Sequence, residues 1–320
     1  MNRIPEGFDV LGLGCAAVDD FRYVASFPAT DTKVRAVRGQ RRCGGLTGAA
    51  LVTAARLGAR CAYSGCLGTD EYSQHVAANF LKEGVDISHA PRLNEARVVH
   101  STIIVGKDCG TRNVFFEDDG MIGAHQSLPS EQVIRRSKVL FIDHSGMQGN
   151  LRAVRIARSA GVAVVADLED DARPLFNEVL SLVDHLVLSE EFALQITGES
   201  SAAQAAQDLW QPNRAVVIVT SGANGCWSVS AENGSNALHH PAFVVTAADT
   251  TGCGDVFHGA YAAGLAFGFS LRERIRFAAA AAAIKAMRDE IPRLQVVKEF
   301  LERQQSGGNS SEQREQGVSN

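Results

Sequence analysis

The sequence has no C-x-x-C pair, no strong excess of either charge and no long apolar run. Its 7 cysteines (Cys15, Cys43, Cys61, Cys66, Cys109, Cys226, Cys253) are odd in number and scattered, and none stands at zinc-site spacing from a histidine. Neither a disulfide framework nor a structural zinc is expected; free thiols in a reducing cytoplasm are. Lys and Arg number 31 against 36 Asp and Glu, a formal net charge of −5, which suits solubility and opposes a nucleic-acid partner. The longest apolar run, Phe277 to Ile284, is mostly alanine and far short of the ~20 residues that span a bilayer, so no membrane partner is expected. The opening MNRIPEGFDVLGLG holds no hydrophobic stretch followed by a small-residue cleavage site, so no secretory signal is expected. What is present is an ordinary globular composition, 45% hydrophobic and 21% charged over 320 residues, enough chain to bury a core without staples.

Aliphatic segments alternate with helical patterns for most of the length. Phe8 to Gly14 reads as a buried strand, and Phe21, Tyr23, Ala25 and Phe27 mark a half-exposed one between Val18 and Phe27. Helices are expected at Leu46–Leu57 and Gln74–Glu83, each closed by a glycine. Val98–Val105 and Asn113–Phe116 read as a hairpin about the turn signal KDCG. A regular rhythm follows: strands Val139–Asp143, Val162–Asp167, His185–Leu188 and Ala215–Val219, spaced by helices Leu151–Ala160, Pro174–Leu182 and Ser201–Leu209. Such strands imply a parallel sheet covered on both faces. A hairpin about Glu232-Asn233-Gly234 and helices Asp255–Phe267 and Leu271–Arg288 complete the pattern, with His239 and His240 read as surface loop. The stretch from Gln304 has no apolar period and reads as a disordered tail over 304–320. The architecture is thus one large α/β domain over 1–303 with a small β appendage from about 18–42 and 97–118, placed as a lid over an active site would be. Its alternating apolar face needs cover, from the substrate or from a second copy, and a homodimer through the lid is expected.

Gly12-Leu13-Gly14-Cys15-Ala16-Ala17 fits the dinucleotide fingerprint, but that motif needs a helix at its glycines, and here a period-2 strand follows. The segment with chemistry is Asp249-Thr250-Thr251-Gly252-Cys253-Gly254-Asp255 at the start of a helical pattern. Glycines let successive amides point at one spot, and a helix N-terminus adds unpaired N–H groups and partial positive charge. The amides of Gly252, Cys253 and Gly254 are therefore expected to form an anion hole, with Asp255 beside it as a general base or a helix cap.

DTTGCGDVFHGA resembles the second signature of the ribokinase-like (PfkB) sugar-kinase family. GLGCAAVDD, GGLTGAALVTAARLG, LGTDEYSQHVAANFLKEGVD and TSGANG match its other signatures in order across positions 11–260. Locally, LGLGCAAVDDFRYVASFPATDTKVR is most like ketohexokinase, and LSEEFALQITG and DTTGCGDVFHGA are most like sulfofructose kinase. The resemblance implies an α/β fold, a ribokinase-like three-layer sandwich with a mostly parallel central sheet and a small β-sheet lid. It implies an ATP- and Mg2+-dependent kinase acting on a hydroxyl of a small sugar, a ketose or furanose, with Asp255 as base. Asp19 and the Gly44-Gly45 backbone would hold sugar hydroxyls, Asp31 and Lys33 would close on the far end, and Arg112 would meet the substrate or the phosphate. Thr220, Gly222, Gly225 and Thr251 would serve ATP, and Glu190 and Glu191 would place the metal indirectly.

The family's first-signature asparagine is Ala49 here, its N-x-x-E falls on Ser189-Glu190-Glu191-Phe192, and the segment Met287 to Pro292 is short and charged, which leaves a monovalent-cation site unsupported. Ser145 stands where a sulfonate-binding arginine would, against sulfofructose. A sugar- or nucleotide-sensing protein on the same scaffold and a nucleoside kinase are the alternatives.

Overall fold

The structure, a computed structural model, describes residues 7–106, 108 and 111–315, with side chains to residue 304. The chain opens with β1 (Val10–Leu13), β2 (Ala17–Val24) and β3 (Arg38–Gly44), then α1 (Leu46–Arg56), β4 (Cys61–Tyr63) and α2 (Glu71–Lys82). β5 (Val99–Gly106) and β6 (Arg112–Glu117) follow, and α3 (Glu131–Arg135) leads to β7 (Val139–Asp143), α4 (Met147–Ser159), β8 (Ala163–Asp167) and α5 (Phe176–Leu182). Next come β9 (His185–Ser189), α6 (Glu190–Thr197), α7 (Ala202–Leu209), β10 (Val216–Thr220), β11 (Cys226–Ser230) and β12 (Leu238–His240). Then follow α8 (Cys253–Ala266), α9 (Leu271–Arg288) and α10 (Leu294–Glu315).

The large sheet has the order β12-β11-β10-β9-β8-β7-β1-β4. It is parallel from β4 to β10, and β11 and β12 turn back antiparallel at one edge. Both faces of its inner strands are covered, so β7, β8 and β10 are mainly aliphatic, whereas the edge strand β12 is largely exposed. Val139 and Phe141 face the core shared with α1, α8 and α9, while Leu140 and Ile142 face the one shared with α4 to α7. That is a three-layer sandwich. Strand order reverses at β1 and β7, with β8 to β10 laid down on one side and β4 on the other. Such a switch point opens a crevice at the carboxyl ends of the strands.

A second sheet, β3-β2-β5-β6, stands over that edge; β2 and β5 are parallel and the outer pairs antiparallel. It forms where a dinucleotide-binding helix would have had to begin, because β2 follows directly on Gly14.

Two readings need correction. His239 and His240 are in β12, with His240 Nε2 2.8 Å from Ser228 Oγ and His239 Nε2 2.7 Å from the Asn224 carbonyl. The stretch from Gln304, expected as a disordered tail, continues α10 to Glu315 although residues 306–311 are all Ser, Gly or Asn, poor helix formers; Val297 and its apolar neighbours anchor the helix upstream. Residues 316–320 lie outside the described residues, as do Lys107, Cys109 and Gly110 of the expected KDCG turn. Among the described residues, no helix is long and apolar enough to cross a membrane, and 6 cysteines are free.

Candidate active site

The Asp249–Asp255 segment folds as a turn feeding directly into α8. Asp249 Oδ1 accepts the Thr251 amide at 2.8 Å, and Gly252 takes φ 74°, a left-handed conformation that favours glycine. The Val256 amide makes the first helical bond, to the Gly252 carbonyl at 3.0 Å. The Cys253 amide turns back to the Thr250 carbonyl at 3.2 Å, so the expected anion hole is altered. Closing the turn uses that donor, and the amides with no protein acceptor among the described residues are those of Gly252, Gly254 and Asp255. Gly254 is exposed, and a Cβ there would meet nothing within 4 Å, so the space before it is open.

Asp255 opens onto a cleft of about 400 Å³ between the large sheet's carboxyl edge and the small sheet. Asp19 of β2 and Gly45 share it, so three expected residues from distant parts of the chain converge. Gly45, at φ 85°, precedes α1, and a Cβ there would fall 2.7 Å from the Ala16 backbone. A Cβ on Gly44 would collide with the Asp19 carboxylate. The floor is tied by buried Asp143, whose carboxylate accepts from the Cys15 amide (2.7 Å), the Thr47 hydroxyl (2.8 Å) and the Ser145 amide (2.7 Å).

Burial pushes the Asp255 carboxyl well above the ordinary carboxylate range; the Asp167 and Glu169 carboxylates add to this and His258 opposes it. One edge of Asp255 reaches the cleft, but its surroundings are dense protein. Burial likewise raises Asp19, against the pull of the Ser101 hydroxyl and the charges of His100 and Arg42.

Other expected residues lie elsewhere. Asp31 and Lys33 are exposed in the β2–β3 connection, and Arg112 is exposed at the far end of β6; none lines the cleft. On β6 the face that reaches the cleft does so two and four residues later, at Val114 and Phe116. The cation that lines the cleft is Arg173, which the sequence reading missed, bound to Asp118 at 3.0 Å and Asp170 at 2.7 Å. His144 and Glu169 were missed as site residues, although they stand one and two residues after the parallel strands β7 and β8, where ligands gather; Ser145, noted only as standing where a sulfonate-binding arginine would, lines the cleft with them. Ala49 lines a separate cavity of about 100 Å³ with Gly44 and Phe80.

Thr220, Gly222 and Gly225 form the turn after β10 on the same carboxyl edge, closed by the Ser221 amide on the Gly225 carbonyl at 2.7 Å. Thr251 is in the turn before α8. Glu190 and Glu191 begin α6 at the end of β9, between that turn and the cleft. Glu169, Glu190 and Glu191 put carboxylate oxygens on this edge, the donor type that magnesium takes, but among the described residues no three His, Cys, Asp or Glu side chains cluster closely enough to hold a metal by themselves.

A profile described as pfkB family carbohydrate kinase matches residues 9–290. The chain is 34% identical over 268 residues to a ribokinase of Haemophilus influenzae, covering 78% of this chain and 84% of that one. It is 28% identical over 288 residues to fructokinase-1 of Oryza sativa subsp. japonica, covering 82% and 88%. The fold matches the crystal structure of a ribokinase from Thermotoga maritima with a TM-score of 0.80 at 25% identity, over 92% of this chain and 99% of that one.

Proposed function

We propose, since this chain belongs to the pfkB family of carbohydrate kinases, that its cleft holds a small sugar, a ketose or furanose, and that Asp255 takes the proton of the attacking hydroxyl. The protein is an ATP-dependent phosphotransferase with an alcohol group as acceptor. One observation carries the assignment of roles: a single helical turn presents amides without a protein acceptor and a carboxylate open to the cleft.

In this reading the Gly252, Gly254 and Asp255 amides receive the negative oxygens of the phosphoryl group, and the helix dipole adds to them. Asp255 accepts the hydroxyl proton, leaving the sugar oxygen aimed at phosphorus. Asp19 and the Gly45 backbone orient the other hydroxyls, and Arg173 supplies the positive charge. The Thr220–Gly225 turn and Thr251 support the ATP phosphates and ribose. Glu190 and Glu191 would hold magnesium through water; when bound, it neutralises phosphate oxygens. The small sheet closes over the sugar and keeps water out. The free thiols support a reducing compartment, the cytoplasm.

A nucleoside acceptor is a second reading. It is favoured by the cleft's apolar wall, Leu46, Val99, Val114, Phe116 and Ile122, which offers nothing to a hydroxyl but suits a planar base.

An ADP-release screen of ketoses, aldoses, sugar acids and nucleosides tests both. With the best acceptor, Asp255→Asn is expected to lower kcat about 10²–10⁴-fold while ATP binding, followed by calorimetry, persists. Near-wild-type turnover by this variant overturns the base assignment. Ligand binding with no ADP release from any acceptor would mark a sensor instead.

A further inference from the structure

Arg42, paired across the small sheet with Asp19 of β2, takes no part in the reaction as described. Its guanidinium lies 4.8 Å from the centre of the Phe21 ring and leaves the small sheet to fork onto Asp289, just past α9, at 2.8 and 2.6 Å. Asp289 holds φ 51°, a left-handed position that at a helix end usually falls to glycine. Aspartate tolerates it only with some strain, so what this position gains over glycine is the carboxylate. That group is engaged from a second side, where Lys285 Nζ donates at 3.0 Å. Against the desolvation of burial, Lys285 and Arg42 hold the Asp289 carboxyl below its ordinary value.

The same helix end grips the turn that carries the free amides. The Ala286 carbonyl accepts the amides of Ala248 at 2.7 Å and Asp249 at 3.2 Å. Asp249 Oδ1 accepts the Thr251 amide at 2.8 Å, and its Oδ2 lies 4.0 Å from Arg42. The last turn of α9 is thus held by the small sheet on one side and holds the segment before Gly252 on the other. Arg42 Nε is buried without a hydrogen-bond partner among the described residues. An orphaned buried donor is destabilising, so the fork onto Asp289 is kept at a cost that stability alone does not explain.

We propose that Arg42 and Asp289 are a positioning pair: they set the distance between the strand that presents Asp19 and the turn that presents the Gly252 and Gly254 amides, and so align the acceptor hydroxyl with the phosphoryl group. A misplacement of about 1 Å caused far from the reacting atoms can lower a rate about 100-fold, which is the scale on which such a pair acts. The effect on turnover rests on the function proposed above; the hold on the turn does not.

Amide hydrogen exchange of the protein without substrates, resolved by NMR, tests the hold. Asp289→Gly suits the left-handed backbone and removes only the carboxylate. In it the amides of Ala248, Asp249 and Thr251 are expected to exchange at least about tenfold faster than in wild type. Arg41→Gln, which removes a fork of the same strand onto Asp20 instead, is expected to leave those amides unchanged. Unchanged exchange at the turn in Asp289→Gly, or equal acceleration in Arg41→Gln, overturns the proposal. Kinetics test the consequence: with the best acceptor, Asp289→Gly is expected to lose about 10- to 100-fold in kcat with sugar KM unchanged, since Arg42 still faces Asp19. Wild-type kcat in this variant overturns the aligning role. If Asp289→Gly does not fold, Arg42→Lys, which keeps the charge but not the fork, is read in the same way. An active Asp255→Asn enzyme would remove the base assignment and leave the exchange result standing.

Discussion

Two opposed demands meet at Asp255. A base must be ionised to accept a proton, yet burial and the Asp167 and Glu169 carboxylates hold this carboxyl well above its usual range. Activity should therefore fall as pH drops through the raised value, and the acid limb of kcat/KM should lie well above pH ~3.9, the ordinary aspartate value. Stability moves the other way. The folded carboxyl keeps its proton to higher pH than the unfolded one, so native stability declines as pH rises between the two values. Asp255→Asn removes that penalty and should melt higher than wild type at neutral pH, by roughly 2 °C per kcal/mol relieved. A lower melting temperature would contradict this account of the site's electrostatics. The glycines and acid of DTTGCGD were legible in the sequence because a helix start after glycines has few physical uses. Which amides stay free was not, because the Cys253 bond to Thr250 depends on the closure of the turn. Arg112 was expected at the substrate and Arg173 was missed for a similar reason: sequence gives a residue's type, but the distance along β6 from the cleft is set by the register of the small sheet.

At the scale of elements, the aliphatic strands β7 to β10 were plain, because burial on both faces leaves a continuous apolar run. β3 was not. Its sequence, RGQRRCG, has no apolar alternation and owes its order to pairing with β2. Part of that pairing is ionic: Arg41 donates to both Asp20 oxygens at 2.9 Å, and this contact with His100 pulls the Asp20 carboxyl down to about 2. Arg42 of the same strand reaches the carboxylate of Asp289 after α9, at 2.8 and 2.6 Å, and so ties the small sheet to the large domain. Asp20 stabilises the fold above its unfolded value, near 3.9, and loses that contribution as pH falls through about 2. Asp20→Ala should cost about 1.5–3 kcal/mol at neutral pH, measured by urea denaturation, with most of the loss gone near pH 2. An unchanged midpoint would show that the pair holds nothing. Helix starts were misplaced where capping is backbone rather than side chain: α4 begins at Met147 behind a left-handed Gly146, four residues before its aliphatic pattern.

For the whole molecule, the switch point between β1 and β7 explains why residues as distant in sequence as Asp19, Ser145, Glu169 and Asp255 meet in one cleft. The small sheet also leaves Phe115 60% exposed and Phe116 64% exposed. Burying such rings is the driving force expected for a homodimer through the lid. Sedimentation should find a dimer for the wild-type chain and a monomer for Phe115→Glu, the ring that does not line the cleft; a monomeric wild type would remove the assembly from the account.

The central claim, amides receiving a phosphoryl group beside a proton-accepting carboxylate, is met most directly by a crystal structure with ADP, aluminium fluoride and the acceptor found by the screen. The account predicts fluorides about 2.7–3.1 Å from the Gly252, Gly254 and Asp255 nitrogens and Asp255 within about 2.6–3.2 Å of the acceptor hydroxyl. Fluorides bound away from those nitrogens, or an Asp255 turned from the hydroxyl, would contradict it.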